Sequence, residues 1–239
     1  MSDAAADVRW TGRTGPFEFL VNPGVFAPTH TSRTIAEALD IREGDTVVDV
    51  GCGSGVLSFV AARLGAGRVV GCDISEQAVD VARLNARQLG LEDRCEFRVG
   101  SLLDPVADVQ ADVVIGDVSG IPDEIARVAG WFPDGRAGGP TGAELPTAML
   151  ESLDASGTLR RGGALYLPTG TIQDERTILA KARELFGERM QAVIERDFPL
   201  PDVVGKSLAA ARMMKGGLLN LHRRGSRFLW RLRVWRCER

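Results

Sequence analysis

The sequence predicts an α/β protein built on a doubly wound, mostly parallel sheet, and three observations carry that expectation. Short apolar runs alternate with amphipathic stretches through the middle of the chain, the rhythm of a βα array. A glycine-rich turn at 47–58 (VVDVGCGSGVLS) joins the first of those runs to a helix-like stretch. An acid, Asp73, ends the second run, 18 residues after Gly55, where a carboxylate in such a sheet can take both hydroxyls of a ribose.

The elements follow in order. Residues 46–50 form a compact β-branched run and read as a buried strand, and 56–64 continue as a helix. Residues 68–72 make a second strand, followed by a helix over 75–89 with Val79, Ala82, Ala86 and Leu89 at helical spacing. Three more strands are expected at 95–99, 112–115 and 164–167, each short and apolar as buried parallel strands are. A helix over 174–186 and a strand over 191–198 come next. Residues 133–146 (PDGRAGGPTGAELP) are rich in Gly and Pro and are expected to loop over one end of the sheet. The segment 201–225 is polar and partly helical, an insertion before the last strand. That strand, 227–234, sets Phe228, Trp230, Leu232 and Val234 on one face and Arg227, Leu229, Arg231 and Arg233 on the other, which suits a position at or near a sheet edge.

With 239 residues the chain fits one large domain or one domain with appendages, burying roughly 70–75% of its extended surface. Its 44% hydrophobic and 26% charged residues, with Gly 28 and Pro 11, exclude collagen-like, disordered and disulfide-stapled classes. The 29 basic and 32 acidic residues are unevenly placed. Residues 212–239 hold nine Lys or Arg and one acid, which leaves −11 on residues 1–211 of a chain whose net charge is −3. Such asymmetry raises the question of an anionic partner. Cys52, Cys72, Cys95 and Cys237 are widely spaced and lack metal-ligand spacing with any His, so free thiols are expected and no metal site. The first ten residues include acids and no apolar core, and 14–32 is broken by Pro16, Pro23 and Pro28. Neither a secretory signal nor a membrane span is expected, and a cytoplasmic protein fits.

The glycine turn is the strongest signal. Asp49 ends a strand, Gly51, Gly53 and Gly55 turn the chain, and a helix follows; glycines serve where backbone bends sharply and approaches a ligand without a Cβ in the way. NAD-binding folds use GxGxxG at a similar place. Here the spacing is GxGxG with an acid two residues before it, and on these residues the sequence resembles the class I S-adenosylmethionine-dependent methyltransferases. Residues 65–94 follow the pattern of that superfamily through its second strand and helix. Residues 25–39 (VFAPTHTSRTIAEAL) resemble the segment before the cofactor loop in ribosomal-protein methyltransferases and HemK-like glutamine methyltransferases.

The resemblance implies a seven-stranded sheet of order 3-2-1-4-5-7-6, with 1–40 as an N-terminal lid and helix and 41–239 as the methyltransferase domain. It implies S-adenosylmethionine as cofactor, S-adenosylhomocysteine as product, and a cofactor site made of Asp49, Gly51, Cys52, Gly53, Gly55, Asp73, Ile74, Ser101, Leu102, Asp117, Thr31 and Arg33. Ser101 stands where the superfamily usually places an acid for the adenine amino group, so Ser101 or a backbone group takes that contact. Thr31 or Ser32 is expected to cap the helix that follows. Arg33 resembles the arginine that meets the cofactor carboxylate in protein arginine methyltransferases; a solvated first-turn arginine is the other reading.

The acceptor in this fold is met after the fourth strand, near the point where strand order reverses. HemK-like enzymes carry Asn-Pro-Pro-aromatic there, whereas this chain has Asp117-Val118-Ser119-Gly120. An acid suits a cationic nitrogen, and Asp117 is expected to be the catalytic residue. Asp123 and Glu124 are either substrate contacts or first-turn helix residues. Phe26, His30, Ser119, Glu124, Trp131 and Glu144 are the expected substrate contacts, with Phe132 beside them, though His30 and Trp131 also read as structural residues. Phe17, Phe19 and Phe26 belong to the expected lid, to close over the site or pack on a second subunit; the sequence fixes no oligomeric state.

The favoured function is N-methylation of an amine or guanidine on a small polar metabolite or a peptide side chain, the absence of an obvious extra recognition domain favouring a compact substrate. The alternatives are a ribosomal-protein or RNA methyltransferase using the basic C-terminal segment, a small-molecule O-methyltransferase, and a non-enzymatic cofactor-binding module. Nucleic acid is the less favoured partner because the body is acidic.

Overall fold

A computed structural model describes residues 6–131 and 137–239 of the chain. The Phe132 expectation, and the start of the loop at 133–146, lie outside the described residues. A hairpin of β1 (Ala6–Trp10) and β2 (Phe17–Val21) leads to α1 (His30–Ala38). The central sheet contains β3 (Thr46–Val50), β4 (Arg68–Asp73), β5 (Cys95–Val99), β6 (Ala111–Ile115), β7 (Leu159–Gly170), β8 (Met190–Pro199) and β10 (Arg227–Glu238). Their order is β5-β4-β3-β6-β7-β10-β8, which counted over the seven strands is the expected 3-2-1-4-5-7-6. An eighth, three-residue strand, β9 (His222–Arg224), pairs with the start of β10. The five strands from β5 to β7 are parallel, and β10 runs antiparallel between β7 and β8.

The two-residue period of the strands divides the core into two layers. Val47, Val69 and Val113 face α2 (Val56–Leu64), α3 (Glu76–Gln88) and the hairpin. Their neighbours Val48, Val70 and Val114 face α5 (Glu144–Ser156) and α6 (Glu175–Phe186). A third, smaller cluster joins Ile125 of α4 (Asp123–Ala129) to Val204 of α7 (Asp202–Gly205) and to Ala210 and Met213 of α8 (Leu208–Lys215). The segment read as a polar insertion thus has an apolar underside packed on α4.

Several expectations change in detail. Thr29, not Thr31 or Ser32, caps α1, because its hydroxyl accepts from Thr31 N at 3.1 Å while Ser32 closes the reciprocal bond at N3. Phe17 and Phe19 are no lid: both are buried with Trp10 against Phe59, and Asn85 clamps the hairpin by accepting from Leu20 N at 2.8 Å and donating to Leu20 O at 2.9 Å. β10 continues past 234 to Glu238 with its ladder to β7 unbroken; its second face changes there from arginine to Trp235 and Cys237, which pack in the layer of α5 and α6, while the irregularity opposite lies on β8, where Val193 is passed over. Helix α5 begins at Glu144, inside the segment read as loop. The arginine face of β10 is answered by acids: Arg231 meets Glu195 at 3.1 Å and Asp197 at 2.8 Å, and Arg233 meets Glu195 at 2.7 Å and Glu175 at 2.9 Å. Among the described residues no helix is long and apolar enough to cross a membrane.

Candidate cofactor and acceptor cleft

A cleft of about 800 Å³ opens over the C-terminal ends of β3, β4, β6 and β7, where β4 and β6 flank β3 and the strand order reverses. Ligands of open α/β sheets sit at such a point. The turn after β3 is built from backbone bonds: Gly51 N and Cys52 N both donate to Cys72 O, at 2.8 and 3.0 Å. Gly53, at φ +53, faces the cleft, and a Cβ there would meet nothing closer than Phe26 O at 3.9 Å. Gly55 has a different task. It lies below the cleft lining, and a Cβ would stand 2.6 Å from the buried ring of Phe59.

Asp73 is fixed at the tip of β4. Its Oδ2 accepts from Gly53 N at 3.0 Å and its Oδ1 from Ser75 N at 2.9 Å, while Ser75 caps α3. Next to it Ile74 is 77% exposed, an apolar side chain left on the cleft wall. Across from it lie Ser101 and Leu102; Leu102 takes a positive φ of +49 and its carbonyl accepts from Cys72 Sγ at 3.0 Å.

Asp49 and Asp117 carry the electrostatics. Asp49 is fully buried; Ser58 Oγ donates to its Oδ2 at 2.6 Å, while Oδ1 has no partner among the described residues. Burial pushes its carboxyl up to about 7 against the pull of that bond, and repulsion from Asp117 and Asp73 adds to the rise. Asp117, just past the end of β6, is pushed up to about 6 by loss of solvation, opposed by the Ser32 hydroxyl that donates to its Oδ2 at 3.2 Å. The fold therefore brings all three strand-end acids to one cleft and leaves a buried carboxylate oxygen open for a donor.

Of the other expected residues, Phe26, His30, Thr31, Ser119 and Trp131 line the same cleft. His30 stacks on Phe198 at 4.9 Å, and Phe198 packs on Trp230 at 5.5 Å, so two aromatic residues of β8 and β10 join the wall. Ser119 Oγ is buried with no partner among the described residues. Three expectations fail on geometry. Arg33 turns away to donate to Thr11 Oγ1 at 3.1 Å, with its guanidinium 5.0 Å over the Trp10 ring. Glu124 is ion-paired with Arg212 on the outer surface. Glu144 accepts from Thr141 Oγ1 at 2.9 Å and Thr141 N at 3.1 Å, fastening the glycine-rich loop at the start of α5. Asp123 does similar work, its Oδ1 accepting from Ala137 N at 3.1 Å and Gly139 N at 3.2 Å. As site residues the sequence did not point to Ser32, read there only as a cap candidate, to Phe198, or to Gln173, a buried amide on the cleft wall whose side chain lies against Gly120. Only Gln173 left a signal, as a polar residue just past an apolar strand. No group of three His, Cys, Asp or Glu among the described residues is placed to hold a metal ion.

An open α/β sheet with a glycine turn at the switch point and an acid at the tip of the next strand defines a nucleoside-cofactor enzyme. Methyltransferases are among the known proteins similar to this chain. The family described as ribosomal protein L11 methyltransferase (PrmA) matches residues 25–121. A ribosomal protein L11 methyltransferase from Pectobacterium carotovorum is 38% identical over 130 residues, 52% of this chain and 42% of that protein. A release factor glutamine methyltransferase from Moorella thermoacetica is 33% identical over 201 residues, 79% of this chain and 67% of that protein. The solved structure of the ribosomal protein L11 methylase of Lactobacillus delbrueckii matches with a TM-score of 0.54 at 20% identity, over 92% of this chain and 84% of that one, a likeness of fold. The chain belongs to the class I S-adenosylmethionine-dependent methyltransferases. It spans about two fifths of the length of the first of these relatives.

Proposed function

We propose that the chain methylates an amine or guanidine nitrogen on a protein side chain, with Asp117 orienting the acceptor and taking up its charge. The observation that carries this reading is the Asp117 carboxyl: it lines the cleft beside the glycine turn, its Oδ2 engaged by Ser32 and its pKa raised to about 6 by burial.

The residues present fit the cofactor. Bare backbone at Gly51 and Gly53 with Cys52 would receive the methionine portion, and the unpartnered Oδ1 of Asp49, with Thr31 nearby, would hold its ammonium group. Asp73 would take the ribose hydroxyls, and Ile74 and Leu102 would flank the adenine with Ser101 at its edge. When bound, S-adenosylmethionine supplies a methyl group on a sulfonium: the acceptor lone pair forms the N–C bond, the C–S electron pair stays on sulfur, and the nitrogen loses a proton. Asp117 Oδ1, the oxygen that Ser32 leaves open, accepts the acceptor's N–H bond and then that proton. Trp131, Phe198 and Trp230 narrow the approach and keep water from the nucleophile. Alignment of an acceptor at a good leaving group is most of what such a site supplies.

Of the two acceptors expected from sequence, a small polar metabolite or a peptide side chain, the second is kept. The relatives named for ribosomal protein L11 and for release factor glutamine, aligned over 52% and 79% of this chain, support that choice. An acid in place of Asn-Pro-Pro favours a cationic nitrogen over an amide. The test offers methyl-labelled cofactor with ribosomal proteins, release factors, ribosomal RNA, and small amines and guanidines. Label on an amine or guanidine of a protein is expected; label confined to RNA or to small molecules overturns the reading.

A further inference from the structure

We infer that the hairpin between β9 and β10 is a docking site for an RNA phosphate backbone beside the mouth of the cleft. From residue 203 to residue 237 the chain has no acid and nine Lys or Arg. The structure splits those cations into two groups. Arg231 and Arg233 are paired with acids of β8 and α6, Arg212 with Glu124, Lys206 with Asp202, and Arg236 with Glu238. Arg223, Arg224, Arg227 and Lys215 are exposed and make no ion pair among the described residues.

Three of these four lie on one tight turn, and their arrangement is locally unfavourable. Arg224 and Arg227 are directly opposite each other across the hairpin, where like charges repel. Arg223 lies 4.3 Å over the ring of Phe228, which holds its guanidinium against the strand. The acids close by already hold a cation of their own: Asp197 is paired with Arg231, and Asp202, which feels the charge of Arg227, is paired with Lys206. A folded protein keeps such a conflict where a ligand relieves it.

The ligand is a polyanion of high charge density. Arg224 and Arg227 share one face of the turn and Arg223 the other, so the matching ligand is a flexible chain that can pass round the tip with an anion every few ångströms, which a nucleic-acid backbone offers at every nucleotide and a protein only in a dedicated acidic run. Arginine forks also match phosphate oxygens bidentately. The −11 on residues 1–211 repels a polyanion from the rest of the surface, so binding is confined to this lip. Arg227 is three residues before Trp230, which lines the cleft, so at the rise of a strand the backbone of the turn lies about 10 Å from the acceptor wall, with Arg223 on the face of Trp230 and Arg227 on the other. The hairpin would place RNA beside the acceptor, as in a ribonucleoprotein, without making RNA the acceptor.

The experiment is fluorescence anisotropy of the full chain with a labelled single-stranded polyuridine of about 20 nucleotides, from about 50 to 200 mM salt. Three to four contacts predict a slope of log K against log salt of about −2 to −3. The triple variant R223Q/R224Q/R227Q is expected to bind at least about tenfold more weakly and to flatten the slope by about 2. None of the three residues lines the cleft, so thermal midpoint and cofactor affinity should match the parent and report an intact fold. No binding at about 50 mM salt, or equal binding by the triple variant, overturns the proposal. Tighter binding of a polyglutamate peptide than of RNA at the same salt also overturns it, in favour of an acidic protein. No methyl transfer enters the measurement, so its outcome is independent of the acceptor proposed above.

Discussion

Ser32 Oγ donates to Asp117 Oδ2 at 3.2 Å while accepting from Thr29 N at 3.4 Å, so one hydroxyl joins the cap of α1 to the end of β6. Ser32→Ala removes both bonds. The lost cap and hydrogen bond should cost about 1–2 kcal/mol in thermal or denaturant unfolding. Asp117 loses the donor that favours its charged form, so its titration should move above 6. The acidic limb of the rate profile should then shift to higher pH, and an unmoved limb would show that another group sets it.

Asp73 and Asp117 are expected to separate binding from turnover. Asp73→Ala strips acceptors from Gly53 N and Ser75 N as well as from the ribose, and cofactor affinity measured by calorimetry should fall at least about tenfold. Asp117→Ala should leave that affinity within about threefold and lower turnover by about 10²-fold. Equal losses of affinity would place Asp117 with the cofactor.

The raised carboxyls make the cofactor-free protein sensitive to pH in a defined direction. Asp49 and Asp117 hold their protons in the folded chain up to about 7 and about 6, whereas in the unfolded chain both titrate near 3.8. The folded state thus binds more protons between these limits, and stability present below pH 4 should decline as pH rises through 6 and 7. Asp49→Asn should flatten the decline. The cofactor's ammonium favours the ionised carboxylates, so the rise in thermal midpoint on adding cofactor should grow over the same interval; a midpoint rise independent of pH would contradict the placement of that ammonium at Asp49.

Arg33 offers a control. Its guanidinium bonds Thr11 and stacks on Trp10, so Arg33→Ala should leave cofactor affinity unchanged and cost at most about 1 kcal/mol of stability. A large loss of affinity would restore the contact expected from sequence.

How much of this was legible depends on the range of the interaction. The turn at Gly51, Gly53 and Gly55 and the strand-end Asp49, Asp73 and Asp117 were readable because loop chemistry and strand period are local, and the parallel strands were short apolar runs for the same reason. Arg33, Glu124 and Glu144 misled because a charged side chain near a site has several partners to choose from: Trp10 and Arg212 are brought up by tertiary contacts, and Thr141 lies one turn before Glu144 in the loop that leads into α5. Phe198 and Trp230 reach the cleft only because β8 and β10 pair antiparallel at the far side of the sheet. Arg227, Arg231 and Arg233 read together as one strand face, and only the pairing separates Arg231 and Arg233, which hold acids of β8 and α6, from Arg227, which makes no ion pair among the described residues.

Two glycines of one turn divide scaffold from site. Gly55 has φ +90, and its missing Cβ would lie 2.6 Å from Phe59 and 3.2 Å from Phe97. Those rings pack edge to face at 5.9 Å, and Phe59 also meets Phe17 of the hairpin at 6.4 Å, so there is little room to yield. Gly55→Ala combines an unfavourable backbone with overpacking and should cost about 2–5 kcal/mol. Gly53, at φ +53 with its nearest neighbour at 3.9 Å, meets no such wall. Gly53→Ala should cost only about 1–2 kcal/mol in unfolding, yet its methyl would stand where the cofactor's methionine portion is placed, so affinity should drop at least about tenfold. Unfolding and calorimetry on both variants check the division, because an enzyme whose whole turn served only to fold would lose stability at both positions and affinity at neither.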